Sequence, residues 1–288
     1  MLLQVFPDNK EGGFGLEPFQ DFQDPWGIQR MGAIIKGQGN SPPVPPPENF
    51  PQERAPGVGD LVESKKSESG NGGDPENHTI KLYGGKMKSI CQTYLKPDNF
   101  LGDIDLAIDN GANAIYIQGA EGDKYVREGK TDQLAKAIEY IKKKGYLAGM
   151  GAHSLEVIKA CEKEKIPVDF YVKTFHNDNY WSAHPIEDRV EFSVDTKRYA
   201  EHNKIHDNMF DLFPVKTMEY MKEVNKPWIA FKVLAGGAIL PKEGFRFAFE
   251  NGADFICVGM FDFQVVDDVN IASAILANLK KRERKWYS

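Results

Sequence analysis

The chain of 288 residues is 41% hydrophobic and 11% aromatic, enough to bury about 70 to 75% of its unfolded surface in one large domain or two small ones. Its 42 acidic residues exceed its 36 basic ones, for a formal charge of −6, and no basic stripe with interleaved aromatics is present, so nucleic acid is not an expected partner. Cys91, Cys161 and Cys257 lie far apart, which argues against a zinc knuckle or disulfide framework and fits a reducing cytoplasm, and no run approaches the roughly 18 apolar residues of a membrane span, so a soluble protein is expected.

In chain order, residues 1–85 form an irregular, Pro- and Gly-rich segment. The stretches GQGNSPPVPPPENFPQERAPG and ESKKSESGNGGDPENH hold too little apolar surface to offset their ordering entropy, and they read as an extended loop or linker. Only Met31 to Lys36 and Thr79 to Tyr83 are eligible as strands here. Asn77-His78-Thr79 matches a glycosylation sequon, a three-residue pattern common by chance and without use in a cytoplasmic chain.

Residues 86–288 form the main body, where short apolar runs alternate with amphipathic helices. The predicted strands are Ser89 to Tyr94, Ala114 to Gln118, Leu147 to Met150, Phe170 to Phe175, Trp228 to Leu234 and Phe255 to Met260, each near-continuously apolar as a strand buried on both faces should be. The predicted helices are Phe100 to Asn110, Thr131 to Lys144, Ser154 to Lys165, Pro214 to Val224, Lys242 to Asn251 and Val266 to Lys281. Thr131 and Ser154 stand where N-caps belong, and Gly111, Gly145 and Gly252 follow helix ends. Serial βα units without a GxGxxG fingerprint predict an α/β (β/α)8 TIM barrel, whose first two strands must then come from residues 1–85.

In such barrels the chemistry lies at the C-terminal strand ends. There the sequence offers Gln118, with Glu121 and Asp123 beyond it, then His153, then Lys173 with His176, Asn177 and Asp178, then Lys232, and finally Asp262 and Gln264. Two lysines inside adjacent apolar strands are the most informative feature. A buried ammonium is costly, and beside a second cation a lysine becomes a nucleophile able to add to a carbonyl as a Schiff base; snorkelling to the rim or pairing with a carboxylate is the alternative.

Tyr171-Val172-Lys173-Thr174, then Phe231-Lys232-Val233-Leu234-Ala235-Gly236-Gly237-Ala238-Ile239, then Gly252-Ala253-Asp254 leading into Cys257-Val258-Gly259, resemble the last three strands of the deoxyribose-phosphate aldolase family and its class I relatives. That resemblance implies a lyase with Lys173 as the Schiff-base nucleophile and Lys232 as the residue that activates it. The main body, about two-thirds of the chain, also resembles a bacterial group of uncharacterised function called aldolase-type TIM barrels. Ile115-Tyr116-Ile117-Gln118 lacks the acidic proton-transfer residue of the aldolases, and residues 1–85 do not match the group's first two βα units.

Gly236 and Gly237, with Gly259 at the last strand end, suit a phosphate site, since glycines let backbone amides approach an anion; Gln118 and Asp262 are further candidates for substrate contacts. His153 and His176 are candidate proton carriers. No cofactor is required by this reading, but His153, His176 and Asp178, with His184 beyond, could instead hold a divalent metal in a sugar or sugar-phosphate isomerase or hydrolase. Residues 177–213, dense in aromatics, read as a lid or subunit contact, so a homo-oligomer joins a small-molecule substrate among the expected partners. A barrel that only binds or assembles is the non-catalytic alternative.

Overall fold

The structure, a computed structural model, describes residues 31–36, 90–189, 191–192 and 211–287. Its elements are strands β1 (Met31–Lys36), β2 (Ile90–Thr93), β3 (Ala114–Ile117), β4 (Leu147–Ala152), β5 (Phe170–Thr174), β6 (Trp228–Phe231) and β7 (Phe255–Met260). The α-helices are α1 (Gly102–Asp109), α2 (Gly119–Arg127), α3 (Thr131–Lys143), α4 (Leu155–Lys163), α5 (Pro214–Met221), α6 (Pro241–Glu250) and α7 (Val265–Ala277).

Strands β2 to β7 pair in chain order and all in parallel, as near-continuous apolar runs joined by helices require. The sheet separates two apolar layers. One is filled by helix residues such as Leu134, Ile138, Ile158 and Phe245 together with Ile115, Met150, Tyr171, Ala230 and Ile256. The other is made from strands alone: Ile90, Ala114, Tyr116, Phe170, Val172, Ile229 and Cys257. The sheet curls around this strand-only layer, which makes this α/β fold a half-barrel. Burial in that cluster, with Cys257 nearby, raises the Tyr116 phenol well above its ordinary range. Its hydroxyl donates to Gln92 Oε1 at 2.8 Å.

The expected strand Met31–Lys36 is present, but it pairs antiparallel with β7, from Met31 against Met260 to Lys36 against Phe255. It therefore is not the opening strand of an all-parallel barrel. Thr79 to Tyr83 and the Asn77 sequon lie outside the described residues.

Local chemistry accounts for several element ends. Ser154 caps α4, its Oγ accepting from Glu156 N at 3.2 Å. Thr131 is instead the first residue of α3 after Lys130. Gly111, Gly145 and Gly252 have φ of 81°, 88° and 114°, the left-handed conformation that ends helices. Helix α2 is not among the helices expected from the sequence. Gln118 caps it, accepting from Ala120 N at 2.7 Å, and its glycines serve packing: a Cβ on Gly122 would lie 2.5 Å from Gly151 O. Among the described residues no helix is long and apolar enough to cross a membrane.

Candidate functional site

Helix α2 lies so close to β4 that Asp123, fully buried, reaches the β4–α4 turn. Its carboxylate accepts from Ser154 N at 2.9 Å and from His153 N at 3.2 Å, and it contacts His153 Nδ1 at 2.7 Å. A carboxylate at that distance fixes Nδ1 as the protonated nitrogen of the neutral ring and leaves Nε2 as the basic atom. No described residue hydrogen-bonds Nε2. Gly119 makes room for the ring, since a Cβ there would lie 3.0 Å from His153 Cε1. The Phe231 ring packs 5.5 Å from the imidazole, centroid to centroid.

From this pair a buried polar chain runs to the end of β5. Thr174 Oγ1 donates to His153 O at 3.1 Å, and Lys173 Nζ donates to Thr174 Oγ1 at 2.9 Å and to Thr174 O at 2.8 Å. The same ammonium lies 3.3 Å from Asp211 Oδ1. Lys173 is 0% exposed. It pairs in register with Ala152 and Ala230 and alternates with Val172, so it stands on the helix-facing side of the sheet with Tyr171. Lys232, expected inside a strand, lies beyond the end of β6 with φ 56°, and its half-buried side chain places Nζ 5.9 Å from the Phe231 ring centroid. The charged neighbour of Lys173 is therefore a carboxylate.

His176 Nε2 accepts from Asp211 N at 2.8 Å, so Nδ1 carries the proton and donates to Asn177 O at 2.5 Å. Desolvation lowers its pKa from the ordinary value, only partly countered by the Asn177 hydrogen bond. Asp178 is paired with Arg189 at 2.7 Å, and Arg189 also binds the carbonyls of His184 and Leu212, fastening the long β5–α5 connection. Among the described residues no group of three His, Cys, Asp or Glu is placed to hold a metal. Of the expected metal set, His176 and Asp178 are thus held by backbone groups and by an arginine.

Gly236 and Gly237 lie in a short 3-10 turn with φ of 68° and 95°. The amides of Gly237 and Ala238 are bonded inside that turn, to Leu234 O and Ala235 O. Gly259 faces the inner side of β7, in step with Cys257. Asp262 opens a 3-10 turn after β7, and Gln118 uses its carbonyl oxygen as the α2 cap. All these positions share the C-terminal end of the parallel sheet, as the topology demands. The cleft at the ends of β4 and β5 gathers a different set: His153 and Ser154, with Glu191, Phe192, Asp211 and Phe213 from the long connection. Asp123 is among the sequence candidates, but its partner His153, 30 positions away, is not legible there; Asp211 escapes sequence reasoning, its partner Lys173 lying 38 positions away. Compared with family models, curated proteins and solved structures, the chain matches none.

Proposed function

We propose that this protein is an enzyme of small carbonyl compounds in which His153, oriented by Asp123, moves a proton at the carbon next to the carbonyl, within an isomerase or a carbon–carbon lyase on an aldolase-type (β/α)8 scaffold. The buried Asp123–His153 contact carries the reading: it sets the tautomer and leaves a basic Nε2 on a residue that lines the strand-end cleft, where barrel enzymes work. In the step, Nε2 takes the α-proton, the C–H pair becomes the new carbon–carbon double bond and the carbonyl π pair moves onto oxygen, giving an enediolate; the proton then returns to carbon or to oxygen. We assign Lys232 to the developing oxyanion, as the cation beside Phe231 at the same mouth. Cys91, Cys161 and Cys257 form no disulfide, which supports a reducing, cytoplasmic setting.

The test is α-proton exchange with deuterated water, followed by NMR over a panel of small hydroxyaldehydes and hydroxyketones. The wild type is expected to exchange at least one of them, and His153→Gln to lose about 10² to 10⁴ of the rate. Equal exchange by His153→Gln would end the reading. A Schiff base on Lys173 is the second reading, favoured by its burial inside a strand of the VKT pattern. Borohydride trapping separates the two: a reduced adduct mapped to Lys173 would replace the His153 reading with the covalent one.

A further inference from the structure

We propose that the cleft at the ends of β4 and β5 selects a carbonyl compound bearing a free hydroxyl or ammonium group and no phosphate, with Asp211 Oδ2 accepting from that donor. This rests on His153 as the group that acts in the same cleft.

The two oxygens of Asp211 are used unequally. Oδ1 accepts from Phe213 N at 3.3 Å and Thr217 Oγ1 at 3.2 Å, and it faces the Lys173 ammonium at 3.3 Å. Oδ2 is buried and accepts from no described residue. The whole side chain is 4% exposed and lines the cleft with His153. A buried carboxylate oxygen left without a donor is costly, so such an atom at a cleft points to a donor supplied by the ligand. Asp211 cannot swing to find another, because its amide is fixed on His176 Nε2 and Oδ1 is held from three sides.

The charges of the cleft decide the class of ligand. Among the described residues its ionisable walls are two carboxylates, Asp211 and Glu191, besides His153, and no described Lys or Arg lines it. Glu191 already receives the Ser154 hydroxyl at 2.9 Å. The adjoining described cations are engaged: Lys173 by Asp211, Lys216 over the Phe213 ring at 4.1 Å, and Lys232, assigned above to the carbonyl oxygen, over the Phe231 ring at 5.9 Å. A phosphate dianion would meet like charge here and find no donor fork, whereas a hydroxyl or ammonium finds an acceptor between two phenylalanine walls.

Binding by saturation-transfer NMR, with dihydroxyacetone and aminoacetone as probes against dihydroxyacetone phosphate, tests the idea without reference to turnover. The wild type is expected to bind one or both unphosphorylated probes at least about tenfold more tightly than the ester, and Asp211→Asn to lose about tenfold of that affinity. Preference for dihydroxyacetone identifies a hydroxyl donor, and preference for aminoacetone an ammonium. Binding of the ester as tightly as either parent, no binding of either parent at millimolar concentration, or unchanged affinity in Asp211→Asn each overturn the proposal. Should Asp211→Asn not fold, the wild-type ranking decides alone. Probe binding without any solvent exchange sustains this inference and removes the acid–base reading of His153.

Discussion

His153 can serve as a base because one of its two ring nitrogens is already committed to Asp123. Replacing Asp123 with Asn keeps the shape but offers an amide where a carboxylate was, so the wrong tautomer gains weight; α-proton exchange should fall by about 10² to 10⁴ with little change in the affinity for substrate. His176 makes the opposite case. Its ring is buried, uses both nitrogens, and has a pKa held below the ordinary value, so the folded state binds a proton less readily than the unfolded chain. The resulting stability is fully present above the unfolded pKa of about 6.5 and is lost as pH falls from there toward the lower folded value, at no more than about 1.4 kcal/mol per pH unit. Denaturant unfolding between pH 8 and pH 5 should show that slope, and His176→Asn should flatten it. Lys232 carries backbone strain at φ 56°, a conformation that glycine adopts freely. Lys232→Gly is therefore expected to leave stability unchanged or raise it by up to about 1 kcal/mol, while lowering exchange activity; clear destabilisation in a melting experiment would show that the side chain holds the loop.

At the scale of elements, α2 determines whether a site exists at all. Its approach to β4 requires glycine at position 122, where a Cβ would meet Gly151 O at 2.5 Å. Because the obstacle is backbone, relief demands that helix and strand separate, so Gly122→Ala should cost about 1 to 3 kcal/mol in denaturant unfolding and withdraw Asp123 from His153. An unaltered stability would mean that the helix sits less closely on the strand. The same element shows how far local pattern reaches. Strand β7 matches its sequence expectation at both ends, Phe255 to Met260, since buried parallel strands announce themselves as apolar runs. Helix α2 does not, because its glycines oppose helix propensity and only the β4 surface rewards them.

Across the whole molecule, the chain after α7 returns to the opposite end of the sheet from the cleft. Arg282 and Arg284 converge on buried Asp254 at 3.0 and 2.6 Å, and both also bind carbonyls around Gly252. Arg284 further takes the carbonyls of Val224 and Lys226, tying the region after α5 to the same point. Asp254 in turn accepts from Trp228 N, at the start of β6. Burial brings the Arg282 guanidinium down to about 10, against the pull of Asp254. Asp254→Ala would strand two buried cations and should cost about 3 to 5 kcal/mol in chemical denaturation, with the cleft chemistry lost only through unfolding. A loss below about 1 kcal/mol would show that water reaches the arginines.

The alternation of apolar runs with amphipathic segments determined by itself that β2 to β7 form a parallel sheet with helices between, and that Lys173, His153 and Lys232 gather toward one end, because period and direction are local properties of a βα chain. Tertiary structure alone decided which side of β5 carries Lys173, since a shift of one residue reverses a strand's faces and several choices of register satisfy an all-apolar strand. It also decided that β1 runs antiparallel to β7, and that Asp123 is the partner of the His153 imidazole. Those pairings span tens to hundreds of residues, and what selects them is the close packing of glycine-faced backbones and the need of buried charges for partners, neither of which is written in the spacing of the residues themselves.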